Sequence, residues 1–318
     1  MLKVMFTGEK GNLAREITKK LHEKQYEVVQ AVVNTCVSTH HQWPELDIAR
    51  RDCIEVIKQV DPDIIIHSAA IVNTDKCQGS PARCVETNVL GTHYVLEAAE
   101  TIGAKLIYFS TTATYDPDNN QPRPFSELSA QRPPTLYGIT KYAGELLVHG
   151  NKMVSSCIIR PCFIYGDPPY DHSSQLVRVA VHSALKKLWP QKVGPTPEVT
   201  LDPMMFKDYM RVEDFAEAVI QIMEHRLYGE IFNVAYGAPR LMGQYFADLE
   251  KLLGFKLDMY WVPELDYMGD HIVNPLKLKR ATLWEPKITP EIGIAITAKA
   301  TIDYVSRCLA MREEPLYK

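Results

Sequence analysis

Short, continuously apolar runs that alternate with stretches of helical spacing constrain this chain more than any other feature. "KVMFT", "EVVQAVV", "DIIIHSA", "KLIYFST" and "SCIIRP" carry no polar alternation, which marks strands covered on both faces. Between them, "NLAREITKKLHEK", "RDCIEVIKQV", "RCVETNVLGTHYVLEAAETIG" and "LYGITKYAGELLVHG" have the apolar period of helices. Strands separated by helices run in one direction, so the spacing predicts an α/β fold built on a doubly wound parallel sheet. Past Gly166 the alternation loosens into the Pro-rich stretches "DPPYDHSS" and "WPQKVGPTPEVTLDP". A helix, "VEDFAEAVIQIMEH", and a strand, "GEIFNVA", then return to the sheet, and short helices mixed with Pro-containing loops follow from about Ala238.

Composition narrows the function classes. The chain has 318 residues, 46% of them apolar and 23% charged, with a net charge of -4. That length can bury a large core, and mild acidity argues against nucleic acid or an anionic membrane as the main partner. No apolar run reaches membrane-spanning length. The first strand begins at Leu2, which predicts no secretory leader. The seven cysteines are scattered, without CxxC spacing. Free, buried thiols in a reduced cytoplasmic compartment are therefore expected, and no metal site.

Two stretches carry chemistry. The first strand runs into "TGEKGNLA", where Gly8, Gly11 and Ala14 stand in GxxGxxA spacing before a helix. Small residues there let the backbone turn tightly and approach a pyrophosphate on the helix N-terminus. This makes the sheet a Rossmann-type one, with residues 1–165 and 206–237 as the dinucleotide-binding domain. Residues 166–205 and 238–318 form a smaller α/β substrate-binding cap. The second stretch is "TLYGITK": Tyr137 and Lys141 lie at i and i+4, on one helical face. Alone, such a pair is also what an amphipathic surface helix carries.

With "ELDIARRD", "HSAA", "TNVLGT", "YFSTTAT", "YGITK" and "RPCFIYG" in this order, the chain resembles the extended short-chain dehydrogenase/reductases, the NAD-dependent epimerase/dehydratase family. These enzymes act on nucleotide-sugars. The resemblance runs from Leu2 to about Asn233, with weaker agreement at "NPLKLKRATLWEP". It implies that Tyr137 is the general acid/base, that Lys141 supports it and binds the nicotinamide ribose, and that Thr112, or Thr111 beside it, hydrogen-bonds the substrate oxygen. A free phenol has a pKa of about 10; an ammonium and an oxidised nicotinamide beside it would favour the phenolate.

The same resemblance places Gly8, Lys10, Gly11, Asn12 and Leu13 against the cofactor phosphates. Asp47 and Ile48 would flank the adenine, and Ser68, Ala69 and Ala70 would line the groove. Asn88 would support the active-site backbone, and Pro161, Cys162 and Phe163 would border the nicotinamide. In the cap, Phe163, Lys207 and either Lys277 or Arg280 would hold the nucleotide of the substrate. His67 ends a strand and reads as a packed core histidine. Family members often dimerise through two helices per subunit, for which "RCVETNVLGTHYVLEAAE" and "YGITKYAGELLV" are candidates, so a homodimer is expected.

Cofactor and reaction follow from departures within the family. NAD-preferring Rossmann folds place an acid after the second strand, whereas here stand Val32, Val33 and Asn34, and Lys10 adds a cation. NADPH is therefore the expected cofactor, with NAD as the alternative. Ala113 and Thr114 replace the acid pair of sugar 4,6-dehydratases, and Thr114 replaces the cysteine of 3,5-epimerase/reductases. The expected reaction is reduction of a 4-keto nucleotide-sugar, as in the dTDP-4-dehydrorhamnose reductase group, which "GNLARE" and "PDIIIHSAA" resemble. That group typically carries threonine-aspartate-tyrosine where Thr111, Thr112 and Ala113 stand here. A nucleotide-sugar 4-epimerase with tightly held NAD, which "KDYMRVEDFAEA" resembles, is the second reading. An NADP-binding regulatory subunit without turnover, such as that of methionine adenosyltransferase, is the third.

Overall fold

The computed structural model describes residues 1–8, 11–31, 46–72, 74–117, 122–169, 171 and 174–311. In chain order the first half comprises β1 (Lys3–Thr7), α1 (Asn12–Glu23), β2 (Glu27–Ala31), α2 (Cys53–Val60), β3 (Ile64–His67), α3 (Thr74–Gly79), α4 (Pro81–Val85), α5 (Gly91–Ile102), β4 (Lys105–Phe109), α6 (Leu136–Gly150) and β5 (Ser156–Pro161). The second half comprises β6 (Phe163–Tyr165), α7 (Gln175–Leu188), β7 (Glu198–Val199), β8 (Phe206–Lys207), β9 (Tyr209–Arg211), α8 (Val212–Glu224), β10 (Ile231–Val234), β11 (Arg240–Leu241), α9 (Met242–Leu253), β12 (Tyr260–Trp261), α10 (Leu276–Thr282) and α11 (Pro290–Met311).

Six strands form one sheet in the order β10-β5-β4-β3-β1-β2, and every pairing in it is parallel. β1, β3, β4 and β5 bury both faces, as their unbroken apolar runs require, whereas β2, expected to be buried too, lies at the sheet edge with Val28, Val29 and Gln30 only partly covered. Val4, Phe6, Ile66 and Ile107 enter one core cluster with α1 and α8, while Met5, Ile65 and Leu106 enter the other with α2 and α5. Strand order reverses between β1 and β3. A crevice at that reversal, beyond the carboxyl ends of the strands, is where this architecture binds ligands.

Three local departures bear on the site. The stretch expected as one helix over 83–103 is interrupted by a π-helical turn at Glu86–Leu90. Such turns recur at functional positions, and this one carries Asn88. The region past Gly166 holds more helix than the loosened pattern suggests: α7 and the 22-residue α11 pack together and against α9. Cys77 and Cys84, expected as free thiols, are joined in a disulfide, because α3 and α4 bring their Cα atoms to 5.2 Å. Cys53, Cys157, Cys162 and Cys308 are free and buried. Among the residues assigned to the cap, Val273, Leu278 and Trp284 pack into the core cluster of the sheet. No described helix is long and apolar enough to cross a membrane.

Candidate active site

The turn after β1 is shaped by lack of side-chain room. Gly8 has φ +86°, and a Cβ there would lie 2.7 Å from the Ala69 nitrogen and 2.8 Å from its Cα. Both the backbone angle and the contact require glycine. The Thr7 hydroxyl oxygen accepts from the Ala69 amide at 3.3 Å, which ties the ends of β1 and β3 together. Gly11 precedes α1 in extended conformation, with no side chain capping the helix. The first amides of α1 are thus left to an anion. Asn12 packs against Gly166, where a Cβ would collide with the Asn12 amide, and Leu13 packs on the core. A tight glycine turn, an uncapped helix start and the partly exposed Ser68 and Ala70 across the strand reversal fit a dinucleotide. Lys10 lies outside the described residues, as do Val32, Val33 and Asn34.

The second half of the site converges on the start of α6. Thr135 caps that helix, its hydroxyl oxygen accepting from the Gly138 amide at 3.2 Å. Gly138 sits against the turn that follows β4: a Cβ there would come 2.6 Å from the Ala113 carbonyl oxygen and 2.7 Å from the Pro133 Cβ. This contact brings Tyr137 beside Thr111 and Thr112. Tyr137 is partly buried. Burial pushes its phenol up to about 12, against a hydrogen bond with Thr111 that pulls it down. Lys141 is 2% exposed, and burial brings its ammonium down to about 7, with Glu145 opposing. Its Nζ sits 4.1 Å from the centre of the Tyr108 ring, the same Tyr108 whose ionisation Tyr137 disfavours. Tyr137 and Lys141 therefore share one face of α6 and one neighbour on β4. Desolvation thus dominates the phenol, and the lowering expected from Lys141 together with an oxidised nicotinamide is not seen.

The two threonines divide their bonds. The Thr112 hydroxyl donates to the Pro161 carbonyl at 3.1 Å and is buried. The Thr111 oxygen accepts from the Ala113 amide at 3.1 Å. Asn88 accepts from the Ile71 amide at 2.8 Å and donates to the Ile71 carbonyl at 3.0 Å and the Thr140 hydroxyl at 2.9 Å. It thereby fastens the loop after β3 to α6. His67 is the packed core residue that its strand-end position suggests. Its ring nitrogens bond Thr7 at 2.8 Å and Thr92 at 3.1 Å, and burial takes it down to about 3.

Other expected residues stand differently. Lys207, expected toward the substrate pyrophosphate, is 0% exposed. Its ammonium is paired with Asp266 at 2.7 Å and bonded to the Gly269 carbonyl. A partner 59 residues away neutralises it and closes it off. Lys277 binds the Ile231 carbonyl and Glu230 at the amino end of β10, the far end of the sheet from the glycine turn. Arg280 is exposed. Ile48 turns into the core beneath Gly91, which leaves its backbone for a ligand. Asp47 pairs with Arg83 at 2.8 Å. Pro161 and Phe163 are partly exposed, and Cys162 is buried between them. Phe163 stacks on Tyr209 at 5.1 Å.

Three residues here were not singled out from sequence. Glu145 and Arg160 form a buried ion pair; the i+4 spacing of Glu145 from Lys141 was a local signal for the first of them that went unused. His271 packs edge-on against Phe163 at 5.9 Å and contacts the Thr112 backbone; nothing in its local sequence points there.

The model of the NAD dependent epimerase/dehydratase family matches residues 4–235. The spore coat polysaccharide biosynthesis protein SpsK of Bacillus subtilis is 26% identical over 225 residues, 71% of each chain. The methionine adenosyltransferase 2 subunit beta of Xenopus tropicalis is 27% identical over 226 residues, 71% of this chain and 63% of that one. Among solved structures, the UDP-glucose 4-epimerase of Thermotoga maritima with UDP-glucose superposes with a TM-score of 0.81 at 24% identity, covering 94% of this chain and 98% of that one. RMD from Pseudomonas aeruginosa complexed with NADPH gives 0.78 at 20% identity, covering 95% and 100%. The structural likenesses carry the fold, and the family match spans the glycine turn, the threonine turn and the start of α6. The chain belongs to the NAD dependent epimerase/dehydratase family.

Proposed function

We propose that this chain reduces the 4-keto group of a nucleotide-diphosphate-linked deoxysugar, with NADPH as the preferred cofactor. The observation that carries the reading is the placement of Tyr137 and Lys141 on one face of α6, next to the turn that follows β4, with the Lys141 ammonium 4.1 Å from the centre of the Tyr108 ring. Reduction of a ketone needs a proton donor at that point, whereas oxidation of an alcohol first needs a base. When bound, the nicotinamide supplies the hydride. Tyr137 gives its proton to the oxygen that gains charge, and Lys141 and a threonine hydroxyl stabilise that charge. Thr112 donates to the substrate oxygen by releasing the Pro161 carbonyl. Gly8, Gly11, Asn12 and Leu13 would hold the pyrophosphate, with Ser68 to Ala70 along the groove and Pro161 to Phe163 beside the ring. The missing acid after β2 supports NADPH, and a fold neighbour was solved with it.

Two other readings keep specific support. A 4-epimerase is favoured by the likeness to the UDP-glucose 4-epimerase fold. A regulatory, non-turning-over subunit is favoured by the likeness to the methionine adenosyltransferase subunit. The test is hydride transfer from NADPH or NADH to a panel of 4-keto nucleotide-sugars by purified protein. Turnover with NADPH at higher kcat/KM than with NADH is expected. Equal efficiency with NADH removes the cofactor preference, and tight NADP binding with no turnover moves the chain to the regulatory reading.

A further inference from the structure

On the reading that the glycine turn and the start of α6 hold a dinucleotide, we infer that Cys77 and Cys84 are a thiol–disulfide modification site whose oxidation state sets how firmly that site is braced. The pair joins α3 to α4, helices of six and five residues in which Cys77 and Cys84 are the only buried side chains. Elements with so few buried contacts open locally with ease. Opening gives a small reagent access to sulfurs that are 0% exposed when the two helices are closed. The disulfide is therefore what pins this helical hairpin. Two fastenings of the site start from it. Arg83 on α4 pairs with Asp47 at 2.8 Å, and Asn88, four residues past Cys84, ties the loop after β3 to α6.

The two sulfurs face the same two acceptors that Asn88 uses. The Cys77 Sγ lies 3.5 Å from the Ile71 carbonyl oxygen, and the Cys84 Sγ lies 3.7 Å from the Thr140 hydroxyl oxygen. Asn88 donates to both of these oxygens, at 3.0 and 2.9 Å, and its Nδ2 lies 3.4 Å from the Cys84 Sγ. A disulfide has no hydrogen to donate, so Asn88 holds both acceptors unopposed. Reduction turns each sulfur into an S–H donor set beside one of them. Thr140 commits its own proton to the Tyr137 carbonyl at 2.9 Å, so the contest at its oxygen reaches the helical turn that bears Tyr137. The chemistry is exchange with a low-molecular-weight disulfide, R–S–S–R. One cysteine thiolate attacks it, forming a mixed disulfide and expelling RS⁻. The other thiolate attacks the protein sulfur of that mixed disulfide, closing the Cys77–Cys84 bond and expelling the second RS⁻. The protein gives up two electrons and two protons, the reagent takes them as two R–S–H, and excess R–S–H runs the exchange backwards.

The test equilibrates the full chain across a range of reduced to oxidised glutathione and reads the pair by alkylation and peptide mass spectrometry. NADPH and NADH affinities are measured by fluorescence, and backbone hydrogen exchange is followed over residues 74–90 and the first turns of α6. The dithiol form is expected to bind the tighter of the two nucleotides about threefold or more weakly, and to exchange faster over both segments. Cys77→Ala/Cys84→Ala carries neither the link nor an S–H donor, and its affinity is expected not to respond to the glutathione ratio. A pair that stays in one state across the range overturns the inference. So does equal, measurable affinity or equal exchange in the two forms, or a response that survives in the double variant. If that variant does not fold, the two forms of the wild type decide alone. Failure of the dinucleotide reading looks different: neither nucleotide then binds in either form, while the exchange difference remains.

Discussion

At the scale of single residues, the proposed chemistry rests on a phenol and the groups that decide its proton. Replacing Tyr137 by Phe keeps the ring and removes only the hydroxyl. Turnover is expected to fall on the order of a hundredfold or more, with NADPH binding by fluorescence nearly unchanged; full activity would remove Tyr137 from the reaction. The two threonines are separated by the same logic. Thr112→Val is expected to lower kcat on the order of a hundredfold, and Thr111→Val by less than about tenfold, as read in steady-state kinetics. The reverse order transfers the role to Thr111, which already bonds Tyr137. His67 makes a pH prediction with a definite sign. Its folded value, about 3, lies below the unfolded 6.5, so the unfolded state binds the extra proton between them. The stability margin of the wild type over His67→Gln is therefore full above about pH 6.5. It shrinks by about 1.4 kcal/mol per pH unit as pH falls toward 3, which urea unfolding at pH 7.5 and 5.5 checks.

At the scale of elements, α6 does most of the positioning. It approaches β4 so closely that glycine is required twice: Gly138 faces the Ala113 carbonyl, and a Cβ on Gly144 would overlap the Tyr108 hydroxyl. Gly144→Ala is therefore expected to cost about 1–3 kcal/mol and to displace Lys141, since Tyr108 both supports its ammonium and donates to its carbonyl at 3.3 Å. Thermal unfolding reads the first effect, and a weaker affinity for NADPH reads the second. The helix itself was legible in sequence, because its apolar period and the Tyr137–Lys141 spacing are local. The π-helical turn at Asn88 was not, because it answers to bonds with Ile71 and Thr140, 17 and 52 residues away. The burial of Lys207 was not legible for the same reason: its carboxylate partner comes from a distant loop.

At the scale of the whole molecule, the parallel sheet puts the turns after β1, β3 and β4 at one end, and the start of α6 closes over them. The helices on one side leave Val85, Leu90, Ile139 and Leu146 exposed. This is where a second copy is proposed to dock, making a homodimer. Leu146 is 56% exposed, so Leu146→Glu is expected to fold as the wild type does and to sediment as a monomer. A wild type that sediments as a monomer at micromolar concentration ends the proposal.

What the sequence determined by itself was everything that depends on short-range pattern: buried strands from unbroken apolar runs, helices from their period, the turn at Gly8 from its small residues, and the pairing of Tyr137 with Lys141 from helical spacing. Tertiary structure decided what depends on distant partners and on burial. It pushed the phenol up by burial, turned Ile48 inward, sealed Lys207 against Asp266, joined Cys77 to Cys84, and paired Glu145 with Arg160. The physical reason is one of range. Backbone geometry and periodicity are properties of neighbouring residues, whereas a proton's affinity for a side chain depends on every dipole and charge that folding brings around it.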